Sequence, residues 1–321
     1  MDKLDKIDRK ILYELDKNSR GTDSKIAKKV HLSVPAVKYR IERLVKKGII
    51  ANFVTLINPA KFGKMIYKIY LRLQEASESV QDEIADYFIR KKKTFWVIKC
   101  DGAWDIITAV WVKDAVEFHD FFMEFSTKYN KYIIEKQITN QIEVLFFNRA
   151  YFTNSPGSEK CLWGGKLSEE KLDPLDMKIL KLLPTNARMP VTEIARRVKS
   201  TPRSVSYRIK DLVRRKIILE FSVQLDVNKF NYDYYKSIIY LKNMTHEREM
   251  AFIEYCKQLG KILYFIKTIG PWELELEMEV RDYKEYNHVM KDLRKNFGDI
   301  IRNHETVLIV EEFKGEYNSL Q

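Results

Sequence analysis

The strongest constraint on this chain is that it contains itself twice. LDKIDRKIL from Leu4 and LDPLDMKIL from Leu172 match at a separation of 168 residues. The same separation pairs Asn18 with Asn186, Arg20 with Arg188, Ile26-Ala27 with Ile194-Ala195, and Tyr39-Arg40-Ile41 with Tyr207-Arg208-Ile209. It continues through Ile49-Ile50 and Ile217-Ile218 to Lys61-Phe62 and Lys229-Phe230, and returns at Trp104 and Trp272. The 321 residues therefore have to fold as two related units, each about as long as an ordinary domain pair. Between them, Thr153 to Lys171 carries Asn154, Ser155, Pro156, Gly157, Ser158 and the Gly164-Gly165 pair, and reads as a linker. Fully extended at roughly 3.3 Å per residue it would reach about 60 Å.

Charge is distributed unevenly over the duplication. Residues 1–50 hold fourteen Lys and Arg against seven acids, and residues 172–220 hold twelve against five. Residues 51–152 are nearly balanced at fourteen against thirteen, and residues 221–321 are acidic at fourteen against seventeen. Two separated cationic modules on a near-neutral body point to a polyanion, most simply double-stranded DNA. With 45% hydrophobic residues the chain has ample core material. Its three cysteines lie far apart without a CxxC pair, which excludes a disulfide framework and a zinc ribbon. No apolar run is long enough to cross a membrane, and the opening MDKLDKIDRK has no apolar leader core, so the expected place is the cytoplasm, in association with the nucleoid.

In the first basic block Ile7, Ile11, Leu12 and Leu15 recur at helical spacing up to the Asn18-Ser19-Arg20-Gly21 turn. A short helix follows, capped by Thr22 or Asp23, and Ser33 caps a third, Val34 to about Lys47, that Gly48 ends. In the second block Thr201 takes the cap role with Pro202 at the first helical position. Three helices with a tight turn before the last form a helix-turn-helix. At 100° per residue, Val37, Ile41, Leu44 and Val45 share the core side of the third helix. The expected DNA-facing set is then Ser33, Pro35, Ala36, Lys38 and Tyr39 near its start, with Arg40, Arg43 and Lys46 farther on. The corresponding set in the second block is Thr201, Arg203, Ser204, Ser206 and Tyr207, then Arg208, Lys210 and Arg214. Arg40 and Arg208 lie at the border of the core face, where phosphate contact and bracing of the fold are both open to them. A helix-turn-helix used for protein contact is the bland alternative.

These residues resemble the Lrp/AsnC (leucine-responsive regulatory protein) family of transcription regulators. The resemblance is carried by Leu4, Asp5, Asp8, Lys10, Ile11 and Leu12, by Asn18 and Arg20, by Ile26-Ala27, and by Ser33, Val37, Arg40, Ile41, Leu44 and Gly48-Ile49-Ile50. The second repeat departs from it with Lys216 at the exit glycine and Lys199-Ser200 before Thr201. The family implies a ferredoxin-like effector (RAM-type) domain after each helix-turn-helix, oligomerisation through effector domains, and a small-molecule effector such as an amino acid. Independently of family, β-rich runs at Tyr67–Leu73, Phe95–Cys100, Ile106–Val112 and Ile142–Phe147 alternate with helical stretches at Val80–Lys92 and Ala115–Tyr129 in the order strand-helix-strand-strand-helix-strand. The second repeat gives the same order. The expected fold class is therefore α+β, two repeats, each a winged or three-helix helix-turn-helix domain followed by a ferredoxin-like βαββαβ domain. The expected boundaries are 1–52, 53–152, linker 153–171, 172–220 and 221–317.

By resemblance, the effector would meet Gly102, Trp104 and Asp105 in the first repeat and Gly270, Trp272 and Glu273 in the second. Turn amides there can take a carboxylate and the acid an ammonium, although a plain hairpin turn with a packed tryptophan explains the same residues. The strand WELELEMEV places Glu273, Glu275, Glu277 and Glu279 on one face, expected to be solvated or paired with Lys and Arg. Its counterpart has Ile107, Ala109 and Trp111 at three of those positions, expected to serve assembly. No phosphate-binding glycine loop occurs, and Met250 and Leu308 stand where a zincin would need its second histidine, so no cofactor or metal is expected. The competing enzyme is a siroheme decarboxylase, which shares this two-domain plan. Those enzymes use a histidine on the strand after the aromatic turn, and neither Cys100–Val112 nor Thr268–Val280 contains one. A nucleoid-architectural role is the other alternative.

Overall fold

The structure, a computed structural model, describes residues 4–315; residues 316 and 317, expected in the second effector domain, lie outside the described range. Asp5 caps α1 (Lys6–Lys17), accepting from the Ile7 and Asp8 amides at 2.8 and 2.7 Å. Thr22 caps α2 (Asp23–Val30) and Ser33 caps α3 (Val34–Lys46). A strand β1 (Ile50–Ile57) leads into β2 (Met65–Leu73), α4 (Glu78–Arg90), β3 (Thr94–Gly102), β4 (Ile106–Val112), α5 (Ala115–Tyr129) and β5 (Ile133–Phe147), and β6 (Glu159–Gly164) follows. The second repeat runs α6 (Pro174–Leu182), α7 (Val191–Val198), α8 (Pro202–Arg214), β7 (Ile218–Leu225), β8 (Asp233–Leu241), α9 (His246–Leu259), β9 (Ile262–Ile269), β10 (Leu274–Val280), α10 (Tyr283–Phe297) and β11 (Ile301–Gly315). Each repeat thus has three helices and then the strand-helix-strand-strand-helix-strand order that the hydrophobic pattern implies.

The two ferredoxin-like sheets do not stand apart. β5 pairs with its own β2 along its first half and with β9 of the other repeat along its second, and β11 does the same with β8 and β3. With the remaining pairings the ladder runs β2-β4-β3-β11-β8-β10-β9-β5 and returns to β2, a closed ring of eight strands without free edges. Helices α4 and α5 cover one outer face through Phe88, Phe121 and Phe125, and α9 and α10 cover the other through Phe252, Tyr286 and Leu293. The inner faces meet in a third core containing Tyr70, Trp96, Ile107, Trp272 and Ile309.

One expectation changes here. The segment 153–171 is not a free tether, because β6 adds to β5 and Trp163 is buried, with its Nε1 donating to the Ile57 carbonyl at 3.0 Å. Its Gly and Ser content hid a strand that is fixed by long-range pairing. Of the two states expected for the acid face of β10, solvation and pairing with Lys and Arg, the structure has the second. Glu275, Glu277 and Glu279 are buried, and Lys68, Lys236 and Arg149 supply their counter-charges. The apolar counterpart face, Ile107, Ala109 and Trp111, is buried between the sheets within the same chain.

Candidate nucleic-acid interface

Each reading head has its own apolar core, and each borrows from the other repeat. Ile11, Leu15, Ile26, Val37 and Leu44 of the first pack with Val223 and Phe230, and the second head packs Ile179, Ile194, Val205 and Leu212 with Ile57. β1 and β7 run antiparallel beneath the two heads. Two equivalent arginines cross the boundary in opposite directions. Arg20 donates to the Ala187 carbonyl at 2.6 Å, and Arg188 donates to the Ser19 carbonyl at 2.6 Å and to Asp23 at 2.5 Å. The heads are therefore a fixed pair.

On the outward side of α3, Ser33, Pro35, Lys38, Tyr39 and Lys46 are exposed and Ala36 is half-buried. On α8, Thr201, Arg203, Tyr207, Lys210 and Arg214 are exposed, with Ser204 and Ser206 half-buried. Tyr39 and Tyr207 are 64% and 69% exposed, unusually open for large rings without a described partner. Among the described residues no carboxylate pairs with Lys46, Arg203 or Lys210, whereas Lys38 lies 3.9 Å from Glu42 and Arg214 bonds Asp211. Ser33 and Thr201 spend their hydroxyls on helix caps, accepting from the Ala36 and Ser204 amides.

Three members of the expected set are turned inward. Arg40 donates to Asp5 and Asp8 at 2.7 Å each, Arg43 grips both oxygens of Asp8, and Arg208 bonds Asp173 and Asp176. Asp8 and Asp176 are buried, so these arginines neutralise carboxylates that would otherwise be stranded, and they pin the third helix to the first. The Asp176 amide and the Arg208 guanidinium hold the Asp173 carboxyl below its usual range. Val45, expected in the core, is 43% exposed; it stands about 80° around the helix from Val37, at the rim of the apolar stripe.

The exit turn explains the departure at Lys216. Gly48 has φ +69° and Lys216 has φ +56°, so both repeats use the same left-handed cap. A side chain in that conformation carries a backbone cost, and Lys216→Gly is expected to raise unfolding free energy in urea by about 0.5–1 kcal/mol. No gain would mean that Lys216 is held there by favourable contacts.

At the expected effector turns the acids already have partners. Asp105 accepts from the Leu73 amide at 2.7 Å, and Glu273 from the Leu241 amide at 2.8 Å, so each ties a hairpin to the end of its neighbouring strand. Trp104 and Trp272 are buried, and the Trp272 Nε1 donates to Glu275 at 3.2 Å. The Gly102 amide donates to Asp101, and a Cβ at Gly102, where φ is +111°, would lie 2.6 Å from the Thr306 carbonyl. A Cβ at Gly270 would likewise lie too close to backbone, 2.9 Å from the Ile138 carbonyl.

A larger space lies elsewhere. A cleft of about 860 Å³ opens between the β1–β7 ladder and the ring, with Val54, Phe146, Arg149, Tyr234, Tyr264 and Glu312 among its walls. Arg149, buried at its base, joins head to body: its side chain bonds Asp16 of α1 at 2.7 Å and Glu279 of β10 at 2.9 Å twice. Burial opposes the charge of Asp16, yet Lys160 and Arg149 together hold its carboxyl below the usual range. Glu312 faces the cleft with only neutral donors, Trp96 Nε1 at 2.9 Å and Gln224 Nε2 at 2.7 Å, and loss of surrounding water pushes its carboxyl up. The sequence signal missed here was a charged residue in the run LFFNRAYF, where only a paired charge would be stable. Among the described residues no cluster of three His, Cys, Asp or Glu side chains is arranged to hold a metal ion, and no helix is long and apolar enough to cross a membrane.

Residues 4–51 match the winged helix-turn-helix DNA-binding family, and residues 172–213 match the AsnC-type helix-turn-helix domain. An uncharacterised HTH-type transcriptional regulator of Pyrococcus horikoshii is 34% identical over 127 residues, 39% of this chain and 78% of that protein. LrpA of Bacillus subtilis, an HTH-type transcriptional regulator, is 45% identical over 64 residues, 20% of this chain and 47% of LrpA. A solved structure of the siroheme decarboxylase NirDL is similar over 97% of this chain and 92% of its own, with TM-score 0.62 and 12% identity. At that identity the likeness is one of fold, because function is carried by sites. The basic heads, the ferredoxin-like body and the regulator relatives agree: the chain belongs to the Lrp/AsnC family of helix-turn-helix transcription regulators, with two family units in one polypeptide.

Proposed function

We propose that this regulator reads a DNA site with two unlike halves, one for each head, and that an amino-acid-like molecule modulates it. The observation that carries the first part is the pair of exposed third helices, α3 and α8, whose leading faces differ and whose domains are tied together through Arg20 and Arg188. Proline, alanine and lysine lead α3, whereas arginine and two serines lead α8, so the two heads offer different donors to base edges. Arg203 and Lys38 are the base-reading cations in this proposal, Tyr39 and Tyr207 lie against the duplex, and Lys46, Lys210 and Arg214 meet phosphates. The inner sheet faces are occupied within the chain, so self-association between copies has to use outer surfaces.

Arg203→Ala is expected to flatten preference at one position of one half-site, weakening the preferred sequence by about 1–3 kcal/mol. Lys46→Ala should instead weaken all sequences alike and reduce the slope of log affinity against log salt by about one. Arg40→Ala and Arg208→Ala, which remove braces, should lower stability and leave that slope unchanged. Fluorescence anisotropy on labelled duplexes across a salt series measures all of these. A preserved preference in Arg203→Ala would refute its assignment as a reader.

For the effector, the cleft suits the chemistry better than the turns, because it offers open volume, whereas the turns are closed by tightly packed Gly102 and Gly270 and by buried Trp104 and Trp272. Glu312 provides a carboxylate for an ammonium and the exposed Lys229 provides an ammonium for a carboxylate, both on the cleft wall. Thermal melting with each of the twenty amino acids at millimolar concentration should show a saturable rise for at least one, removed by Glu312→Gln. A flat set of melting temperatures would exclude free amino acids as effectors.

The decarboxylase alternative rests on the overall fold alone. None of the five histidines lines the cleft, which leaves that reading without its expected acid-base group there.

A further inference from the structure

At the centre of the ring, where the two repeats face each other across a pseudo-two-fold axis, lies a buried set of charges. Lys68 and Lys236 are equivalent residues, 168 apart, and both are buried. They converge on one carboxylate: Lys68 bonds Glu275 at 2.8 Å and Lys236 bonds the same oxygen at 2.6 Å. Lys236 also bonds Glu277 at 2.5 Å, Tyr70 donates to Glu275, and Tyr234 donates to Glu277. Farther along β10, Arg149 of the first repeat holds Glu279 with two bonds. The acids all come from the second repeat, and two of the three cations come from the first.

The equivalent positions show what each half would meet in a copy of itself. Opposite Glu275, Glu277 and Glu279 the first repeat has Ile107, Ala109 and Trp111, so two first halves would bury a pair of Lys68 ammonium groups with no acid between them. Two second halves would bring two Lys236 against six carboxylates, and the residue 168 positions after Arg149 is Tyr317, so neither Glu279 would have its arginine. Each such arrangement leaves buried charge unpaired, which costs several kcal/mol per ion, whereas the unlike arrangement sets three cations against three acids.

We propose that this charge set is a pairing code: each half of the chain accepts only the unlike half as its partner. The partner surface is the inner face of the opposite repeat's sheet, met within one chain. Fusion supplies the partner at high effective concentration, and the charges reject the like one. Every assembled body then carries one α3 and one α8, never two of a kind. The inference concerns assembly and holds whether or not the heads read DNA as proposed above.

The test is to insert a protease site between Lys166 and Leu167, both exposed, and cut the folded full-length protein. The cut protein is unfolded in urea and refolded by dilution, and its pairs are counted by native mass spectrometry. Unlike pairs should exceed like pairs by about tenfold or more, and the set Lys68→Met, Lys236→Met, Glu275→Leu and Glu277→Leu should bring the count toward the random ratio. A near-random mixture from the unsubstituted protein would overturn the proposal. If the cut protein aggregates on refolding, the two halves are co-expressed with different tags and counted in the same way, with the same two outcomes.

Discussion

Lys236→Met, with Glu275 and Glu277 left in place, is expected to destabilise the chain by about 3–5 kcal/mol, the usual cost of removing one partner from a buried ion pair. Lys236 is fully buried and bonds both acids, so among the described residues its removal leaves Glu277 with the Tyr234 hydroxyl and Glu275 with Lys68, Tyr70 and Trp272. Urea unfolding followed by tryptophan fluorescence measures the loss, since Trp96, Trp104 and Trp272 line the same core. A change below about 1 kcal/mol would mean that water reaches the site and that the charges are not desolvated. Lys68 adds a pH signature. Burial depresses its ammonium from 10.5 to about 8, despite Glu275 beside it. A folded value below the unfolded one means that the unfolded chain binds more protons between pH 8 and 10.5. The stability of the unsubstituted protein relative to Lys68→Met should therefore rise across that window, and at neutral pH it lacks that contribution.

The second large effect is expected at the joint between head and body. Arg149→Met should cost about 3–5 kcal/mol, because among the described residues Glu279 is left with the Tyr151 hydroxyl and Asp16 with Lys160 as its one cation. The damage should also be directional. Asp16 belongs to α1, so hydrogen exchange should accelerate in α1 to α3 more than in α6 to α8, which have no arginine of this kind. Affinity for the first half-site should fall, while contacts of the second head persist. Equal acceleration in both heads would show that Arg149 supports the fold as a whole and not the joint.

Much of this architecture was legible in the sequence because it rests on local signals. The 168-residue period, the caps at Ser33 and Thr201 and the stripe of Val37, Ile41 and Leu44 each depend on residues within a turn or two. What escaped depends on partners far away. The first half of β5, IIEKQITNQ, carries too little apolar character to be read as a strand, and it is ordered by pairing with β2 some seventy residues earlier. β1 and β7 were hidden because each completes a sheet only with the other repeat. The same limit governed the site. Alternating acids on β10 left solvation and pairing with Lys and Arg both open, since nothing near them in sequence announces Lys68, 207 residues away, or Arg149, 130 residues away. For Arg40 and Arg208, at the border of the core face, phosphate contact and bracing were both open, and which way they turned depended on Asp8 and Asp176.

The asymmetry of the two heads has a functional consequence that a symmetric dimer lacks. Two identical subunits match a palindrome, whereas a single chain with unlike helices matches a directional site.

Selection of bound sequences from a random duplex pool tests this account most directly, with recovery repeated at two salt concentrations. The account predicts one enriched bipartite motif whose halves differ, separated by a fixed spacing near a whole number of helical turns. Arg203→Ala should degrade one half only. Enrichment of a palindrome, or steep salt dependence with no enriched sequence at all, would contradict it.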